Sequence, residues 1–354
     1  MYQAISPLPN GRWPEDGLET LTACPVCGSA DRGVLHHNLR DNIFFCAAGL
    51  WTMWRCEDCR SAYLDPRPSP ETMHLAYRDY YTHAPPATAQ ETGQLSLPRK
   101  IRRTMANGYR NWRYGSRYAP ASSVGVAVGL AFASLRRPLD VAFRYLPHPA
   151  NAEGRRVLDI GCGGGGFLDL AASAGWSASG CDPDTIAVEN ARARGLDVRQ
   201  GGVEAWADAE SSFDAITLSH VIEHVHDPVA TIRTAYRLLR PGGRLYMDTP
   251  NIEALGREAY GPYWRGLDPP RHLVLFGWNS CTRMLAGIGF EEIIPRIRPD
   301  IMAGIAIKSA RAAAGIDPAS QDGSIAGAGI SLRTRSRFAR HRSEFITLTA
   351  RRPE

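Results

Sequence analysis

The 354-residue sequence lacks several features that would place it in a specialised class of protein. Neither sign of charge dominates, because the formal net charge is only +5, which neither requires nor excludes an anionic partner. The first residues, MYQAISPLPNGRW, do not follow the basic and then apolar pattern of a secretory signal, so we do not expect secretion. There is no internal repeat. The composition, with 44% hydrophobic and 22% charged residues, indicates a globular protein long enough for two domains.

A long apolar run is also missing. The most apolar stretch covers residues 118–135, which is only 18 residues and includes Pro120 and three serines. A helix that crosses a bilayer needs about 20 mostly apolar residues. We therefore do not expect a transmembrane helix.

The eight cysteines do not suggest a disulfide framework. Four of them stand in two CxxC pairs, within TACPVCGS and WRCEDCRS, and the others are scattered. Two such turns complete a tetrahedral site of four thiolates, which leaves no open position for water. This pattern predicts one structural zinc ion in a reduced, cytoplasmic protein. The predicted ligands are Cys24, Cys27, Cys56 and Cys59.

The sequence divides into three parts. We predict a small zinc-ribbon-like module at residues 1–83, a helical connector at 84–150 and an α/β domain at 151–354. Within the last part, residues 301–342 are rich in Ala, Gly, Ser and Arg and are predicted to form a variable insertion before a final strand, EFITLTARR.

The connector combines a basic segment with the apolar stretch. From Arg99 to Arg144 it contains ten Lys or Arg residues against one acid, Asp140. A basic helix beside an apolar helix is suited to an anionic membrane surface or another polyanion. A solvated helix followed by one that packs on the next domain explains the pattern equally well, and both interpretations stay open.

The third part alternates short apolar strands with helices, as in RRVLDIG followed by GFLDLAASAGW. Asp227 is placed to cap a helix in which Pro228 takes the first position. A βαβα alternation with short turns predicts a doubly wound, mostly parallel sheet.

A glycine-rich loop, GCGGGG, follows the first of these strands. Gly161, Gly163 and Gly166 satisfy G-x-G-x-x-G, and Asp182 follows about twenty residues later, as in a dinucleotide site. Asp159 argues against that ligand, because a carboxylate at this strand end would repel a pyrophosphate on the following helix terminus. A ligand with an ammonium, a ribose and a sulfonium but no phosphate fits these residues together. S-adenosylmethionine has that chemistry.

Four motifs in order resemble class I S-adenosylmethionine-dependent methyltransferases, in the subgroup that includes quinone and sugar methyltransferases. They are VLDIGCGGG, GCDPD, FDAITLSHVIEHVHDP and RLLRPGGRLYMDTPN, within about residues 155–294. The resemblance implies a seven-stranded Rossmann-like sheet and a bound S-adenosylmethionine. The cofactor-binding residues it implies are Asp159, Gly161, Cys162, Gly163, Gly165, Asp182 and Ser219. A four-cysteine module before such a domain resembles bacterial sugar methyltransferases and certain ribosomal RNA methyltransferases.

Ligands of α/β sheets lie beyond the carboxyl ends of the strands. His220 ends the strand FDAITLSH and is our first candidate for a general base, with His224 second, although Glu223 and His224 have an equally good structural interpretation. A later stretch is expected to cover the acceptor, and His272 within it is equally suited to cap or bridge the helix near Asn279. The residues of that stretch are Tyr260, Tyr263, Trp264, Arg265, Arg271 and His272.

The sequence thus predicts a cytoplasmic methyltransferase, with peripheral contact to a membrane as an option. The favoured acceptor is a sugar, a nucleotide-linked sugar or a glycan, methylated on oxygen or carbon. The alternatives are RNA, which is less favoured, and a quinone or lipid-type hydroxyl. A non-catalytic protein that only binds the cofactor has little support from the intact loop.

Overall fold

The structure is a computed structural model that describes residues 11–77, 96–148, 155–298, 302–316 and 340–354. The predicted boundaries at 83/84 and 150/151 lie outside the described residues, as do residues 317–339 of the predicted insertion.

The N-terminal part forms two small antiparallel sheets around the cysteine pairs. β1 (Leu18–Glu19) pairs with β5 (Arg67–Pro68), whereas β2 (Arg32–Leu39), β3 (Trp51–Cys56) and β4 (Ala62–Leu64) form the second sheet. The second sheet has a fourth strand, Val274–Leu275, which comes from far along the chain and pairs with β4. The N-terminal part is therefore joined to the α/β part by backbone hydrogen bonds.

The connector is helical, as predicted. It contains α1 (Leu97–Tyr114), α2 (Val124–Ala131) and α3 (Ala133–Ala142). α1 ends at Gly115, which adopts the left-handed conformation that glycine tolerates at a helix terminus. No helix within the described ranges combines the length and the apolar character needed to cross a membrane.

The α/β part contains a seven-stranded sheet, which confirms the predicted fold. Its strands follow the order β12–β13–β10–β9–β6–β7–β8, in which β13 is antiparallel to its neighbours and the five strands from β10 to β8 are parallel. The strands are β6 (Arg156–Ile160), β7 (Ser177–Asp182), β8 (Asp197–Gln200), β9 (Phe213–Ser219), β10 (Leu239–Pro250), β12 (Glu291–Pro295) and β13 (Phe345–Arg351), and Val274–Leu275 is β11.

Helices alternate with these strands. The predicted start of the helix at Pro228 is confirmed, because the Asp227 carboxylate accepts a hydrogen bond from the backbone N–H of Ala230, at 2.8 Å. The helices are α4 (Gly166–Ser173), α5 (Thr185–Ala193), α6 (Pro228–Leu238), α7 (Leu255–Tyr260), α8 (Trp278–Ile288) and α9 (Met302–Ala313).

Two apolar cores lie on opposite faces of the sheet. On one face, Tyr109, Tyr114 and Phe143 of the connector pack with Leu168 and Trp176. On the other face, α6 and α8 pack in a core that also includes Cys24, Cys56 and Cys59 of the N-terminal part. The sheet therefore lies between the connector and the N-terminal part.

Candidate active site

The glycine loop connects β6 to α4 and forms an open cradle. Gly161 and Gly163 have φ angles of +68° and +51°, which favour glycine. A Cβ on Gly161 would lie 2.4 Å from a methyl group of Val221, whereas a Cβ on Gly163 would meet no atom within 4 Å. Gly163 thus presents only its backbone on this side, so a ligand can approach it closely.

Asp182 ends β7 and holds this loop in place. Its Oδ2 accepts a hydrogen bond from the backbone N–H of Gly163 at 2.7 Å, and its Oδ1 accepts one from Asp184 at 2.9 Å. Burial raises the pKa of the Asp182 carboxyl, while these two backbone hydrogen bonds act in the opposite direction. Each oxygen keeps a lone pair for a ribose hydroxyl, which suits the predicted role.

Asp159, which is predicted to bind the cofactor, is surrounded by protein groups in the structure. The carboxylate is completely buried, and its Oδ1 accepts hydrogen bonds from Thr217 (2.8 Å) and from the guanidinium of Arg144. Among the described residues none donates to Oδ2. Burial raises the pKa of this carboxyl, although Arg144 opposes the shift. The positive charge that this side chain contacts in the structure is that of Arg144.

Arg144 was not identified from the sequence as a site residue. Its guanidinium also donates to Thr217 Oγ1 at 2.8 Å and lies 3.9 Å from the centre of the Phe167 ring. The backbone at Arg144 has φ +49°, an uncommon conformation that points this side chain toward the sheet. Because 15% of the side chain stays exposed, it can reach an anionic group such as the carboxylate of the cofactor's amino-acid portion.

Three predicted cofactor residues remain. Gly165 belongs to the glycine loop and has φ +82°, and Cys162 and Ser219 contribute backbone or border the site. The Cys162 side chain is buried against Gly180, where an added Cβ would lie 2.7 Å from its sulfur. Burial raises the pKa of the Cys162 thiol, so it is a packing group rather than a nucleophile. Ser219 is partly exposed as the last residue of β9, which runs beside β6.

His220 follows Ser219 and is 38% exposed. Its Nδ1 donates to Oε1 of Glu223 at 3.2 Å, and its Nε2 lies 3.1 Å from Nη1 of Arg298. The residue has φ +59°, a strained conformation for a side chain of this size, which is common at functional sites. Arg298 is a second neighbour that local sequence patterns did not reveal, and it also pairs with Asp248.

Glu223 is fully buried beside two further histidines. Burial opposes its ionisation, but the hydrogen bond with His220 and the nearby imidazoles outweigh it and lower the pKa of Glu223 to about 2. Burial also lowers the pKa of His224, and it lowers that of His272 to about 4, so both rings are neutral at pH 7. Each donates through Nδ1 to a backbone carbonyl, His224 to Arg271 at 3.0 Å and His272 to Gly266 at 2.8 Å.

These three residues converge. One carboxylate oxygen of Glu223 and one nitrogen each of His224 and His272 lie within 4.8 Å of one another, close enough to hold one metal ion. Because Nδ1 of both rings is used, Nε2 is the nitrogen left for a ligand. The hydroxyl of Tyr77, from the N-terminal part, lies 3.0 Å from Nδ1 of His224.

Most residues expected to cover the acceptor have structural roles. Arg271 is fully buried and pairs with Asp41 and Asp268. The indole of Trp264 donates to Glu344 at 2.6 Å, and Arg265 lies 3.4 Å from Asp268. His272 does not cap α8, since its ring bonds to Gly266. The two tyrosines differ: Tyr263 is 42% exposed, whereas Tyr260 packs in the core beside the N-terminal part.

The four cysteines of the CxxC pairs come together, as the spacing predicted. Their sulfur atoms lie within 4.8 Å of one another, with separations of 3.6 Å for Cys24 and Cys59 and 3.5 Å for Cys27 and Cys56. Sulfurs around a tetrahedral zinc with bonds of about 2.3 Å are separated by about 3.8 Å. The residues therefore fit a zinc ion.

Comparisons with known proteins agree with the α/β fold and its glycine loop. Residues 131–293 match the family described as a methyltransferase domain. The chain is similar to two curated proteins called ubiquinone biosynthesis O-methyltransferase. The protein of Paracidovorax citrulli is 37% identical over 113 residues, which are 30% of this chain and 48% of that protein. The protein of Xanthomonas oryzae pv. oryzae is 40% identical over 118 residues, 31% of this chain and 49% of that protein. The chain spans about half the length of these relatives.

Two solved structures are also similar. A SAM dependent methyltransferase from Archaeoglobus fulgidus is 19% identical with a TM-score of 0.42, over 63% of this chain and 94% of that one. One from Mesorhizobium loti is 21% identical with a TM-score of 0.40, over 63% of this chain and 100% of that one. From the family match, together with the sheet order and the glycine loop, the chain contains a class I S-adenosylmethionine-dependent methyltransferase domain.

Proposed function

We propose that the protein transfers a methyl group from S-adenosylmethionine to a hydroxyl of a small-molecule acceptor. One observation carries this proposal. β6 leads into the glycine cradle and is hydrogen-bonded beside β9, with Ile160 paired to Leu218, and His220 directly follows the last residue of β9. The cofactor cradle and the candidate base are thus neighbours at one edge of the sheet. When bound, S-adenosylmethionine supplies a methyl group activated by its positive sulfur.

The chain's own residues bind, orient and accept a proton. Asp182 and the bare backbone at Gly163 would hold the ribose side of the cofactor, and Arg144 would pair with its carboxylate. Nε2 of His220 takes the proton from the hydroxyl that is methylated. Nδ1 is not available, because it carries the hydrogen that is donated in the hydrogen bond to Glu223. For this step the acceptor hydroxyl must take the place of Arg298 beside Nε2. Alignment of hydroxyl and methyl group supplies much of the remaining acceleration.

A phenolic hydroxyl of a quinone precursor is the acceptor that we favour over the sugar. The curated relatives carry ubiquinone names, and the Phe345 ring meets His220 edge-on with ring centres 5.0 Å apart, which provides an aromatic wall. A sugar hydroxyl is the second candidate, favoured by the four-cysteine part, which resembles that of bacterial sugar methyltransferases.

The test is formation of S-adenosylhomocysteine with two acceptor panels, prenylated ortho-dihydroxyphenols and nucleotide sugars. We expect turnover with a phenol, and we expect His220→Ala to lower it by roughly 10²–10⁴-fold. Turnover on a nucleotide sugar alone would select the second candidate. Binding of S-adenosylmethionine in calorimetry without turnover on either panel would contradict both.

We also propose that Cys24, Cys27, Cys56 and Cys59 hold one structural zinc ion. Protein purified without chelators should contain one zinc per chain by elemental analysis, and Cys27→Ser should lose it, because three thiolates bind zinc less tightly than four. Cys46→Ser is the matched control, since Cys46 lies in neither CxxC pair. Zinc-free protein with an intact four-cysteine set would refute the site.

A further inference from the structure

The helical connector exposes apolar side chains beside basic ones. Leu97 and Ile101 in α1 are 70% and 53% exposed, and Phe132 between α2 and α3 is 58% exposed. Exposed clusters of large apolar groups mark interaction sites more often than chance. We call the following residues the connector patch: the apolar Leu97, Ile101, Val124, Leu130, Phe132 and Leu135, and the basic Arg99, Lys100, Arg102 and Arg103.

The connector patch is distinct from the surface by which the connector packs on the sheet. That packing uses Tyr109 and Tyr114, from the second half of α1, and Phe143 after α3. α2 lies so close to α1 that a Cβ on Gly125 would be 1.9 Å from the carbonyl oxygen of Met105. α2 therefore begins about one turn beyond Ile101 and runs along α1 toward Tyr109, where a Cβ on Gly129 would lie 2.5 Å from the ring. The exposed side chains are thus spread along both helices.

The charge of the connector patch is not compensated within the described part of the chain. Its four basic residues are exposed and form no ion pair there. Asp140 is the only acid among residues 96–148, and it is buried, where it accepts hydrogen bonds from the hydroxyls of Tyr109 (2.9 Å) and Tyr114 (2.7 Å). The patch thus offers positive charge and apolar surface together.

We propose that the connector patch docks on an anionic lipid surface. The apolar side chains can enter the boundary between headgroups and acyl chains, while the basic ones attract the anionic headgroups. A second copy of the chain is a poorer occupant, because a twofold interface would set these like charges against each other. Single-stranded nucleic acid binds by stacking on aromatic rings, and Phe132 is the one ring in this patch. Such a partner would use the charges but would gain little from the five aliphatic side chains.

The inference goes beyond the proposed reaction and does not depend on it, because it concerns binding by another surface. Its consequence for the reaction is geometric. α3 ends at Ala142, and Arg144 lies on Asp159 two residues later. The connector that docks is therefore continuous in sequence with the arginine that contacts the cofactor site, and a prenylated acceptor would be found at the lipid surface.

The experiment is flotation of the full chain with vesicles. One set contains phosphatidylcholine alone and the other contains phosphatidylcholine mixed with phosphatidylglycerol, at about 0.01 M and about 1 M salt, where the Debye lengths are about 30 Å and 3 Å. We expect binding to the mixed vesicles at low salt, weaker binding at high salt, and little binding to phosphatidylcholine. Absence of binding to mixed vesicles at low salt would overturn the proposal.

Matched triple variants locate the surface. Arg99→Gln, Lys100→Gln and Arg103→Gln together should weaken binding about a hundredfold, at about 1 kcal/mol per basic residue near such a surface. The control changes Arg233, Arg237 and Arg283 to Gln on α6 and α8, which lie on the opposite face of the sheet and are exposed. Equal losses in the two triples would show unspecific attraction and would overturn the assignment to this patch.

A further variant, Ile101→Ser with Phe132→Ser, tests the apolar contribution and should weaken binding at both salt concentrations. Circular dichroism melting shows whether each variant is folded, and the salt dependence of the unaltered protein tests the proposal even if one is not. Two other outcomes would overturn the proposal, both with no form of the protein binding vesicles. Loss of oligouridylate binding in the connector triple would assign the surface to RNA. Dissociation of a dimer in sedimentation would assign it to a second copy of the chain.

Discussion

Arg271 and Asp41 form an ion pair between two parts of the chain that are 230 residues apart in sequence, with Nη2 of the guanidinium 2.6 Å from Oδ1 of the carboxylate. Both side chains are fully buried, and Asp268 pairs with the same guanidinium at 2.7 Å. The carbonyl oxygen of Arg271 also accepts the hydrogen bond from His224. This pair therefore ties the N-terminal part to the histidines of the candidate site.

Asp41→Ala should destabilise the whole chain. The change leaves a buried positive charge with one partner instead of two, and breaking a buried pair costs about 3–5 kcal/mol. Chemical denaturation would measure this loss in the free energy of unfolding. Glu57→Ala is the control, because its pair with Arg60 is about half exposed and should contribute about 0–1 kcal/mol. Similar losses in the two variants would contradict the role of the buried pair.

Asp182→Ala should weaken S-adenosylmethionine binding. It removes a charge-assisted hydrogen bond to the ribose worth about 1.5–3 kcal/mol, or roughly 10–150-fold in affinity. Calorimetry with S-adenosylmethionine gives the value. Asp208→Ala is the control, since that side chain is exposed and pairs only with Arg199 among the described residues. An unchanged affinity in Asp182→Ala would mean that the ribose lies elsewhere.

His220→Ala should leave cofactor affinity nearly unchanged and lower turnover by roughly 10²–10⁴-fold, the usual contribution of a general base. Turnover with saturating acceptor and cofactor affinity in calorimetry, each compared with the unaltered protein, are the measurements. Wild-type turnover in His220→Ala would place the base elsewhere, with His224 and His272 next to test.

Stability should decrease as the pH falls from about 6.5 to about 4. Burial lowers the pKa of His272 to about 4 in the folded protein, against 6.5 as its ordinary value, so the unfolded chain binds more protons between these limits. The loss from this group is on the order of 3 kcal/mol. The carboxyl of Glu223, with a pKa of about 2, loses its contribution in a lower window, below about 4.5.

Denaturation at several pH values checks this sign. His272→Gln should flatten the curve between pH 6.5 and 4, whereas His74→Gln, at an exposed position, should leave it unchanged. A curve for the unaltered protein that is flat over this window would show that His272 is not buried as a neutral ring.

Much of the fold and part of the site followed from local patterns. Alternating apolar strands and helices predicted the parallel sheet, Asp227 and Pro228 predicted the start of α6, and the two CxxC pairs predicted four converging thiols. Each of these features can be recognised within a short stretch of sequence, because it depends on backbone geometry and on residues that are close together in the chain. The order of the methyltransferase motifs also determined which strand ends would meet at one edge of the sheet.

Other relationships were decided only by the tertiary structure. Arg144 neutralises Asp159, β11 completes the N-terminal sheet, and Tyr77 reaches His224. No short sequence pattern reveals these contacts. Each one joins segments that meet only when the connector and the N-terminal part pack on the α/β sheet. Burial then determines their chemistry, by raising the pKa of Asp159 and by keeping His224 and His272 neutral. The sequence by itself determined the fold and the cofactor loop, whereas packing between distant segments decided which charges stayed open to a ligand.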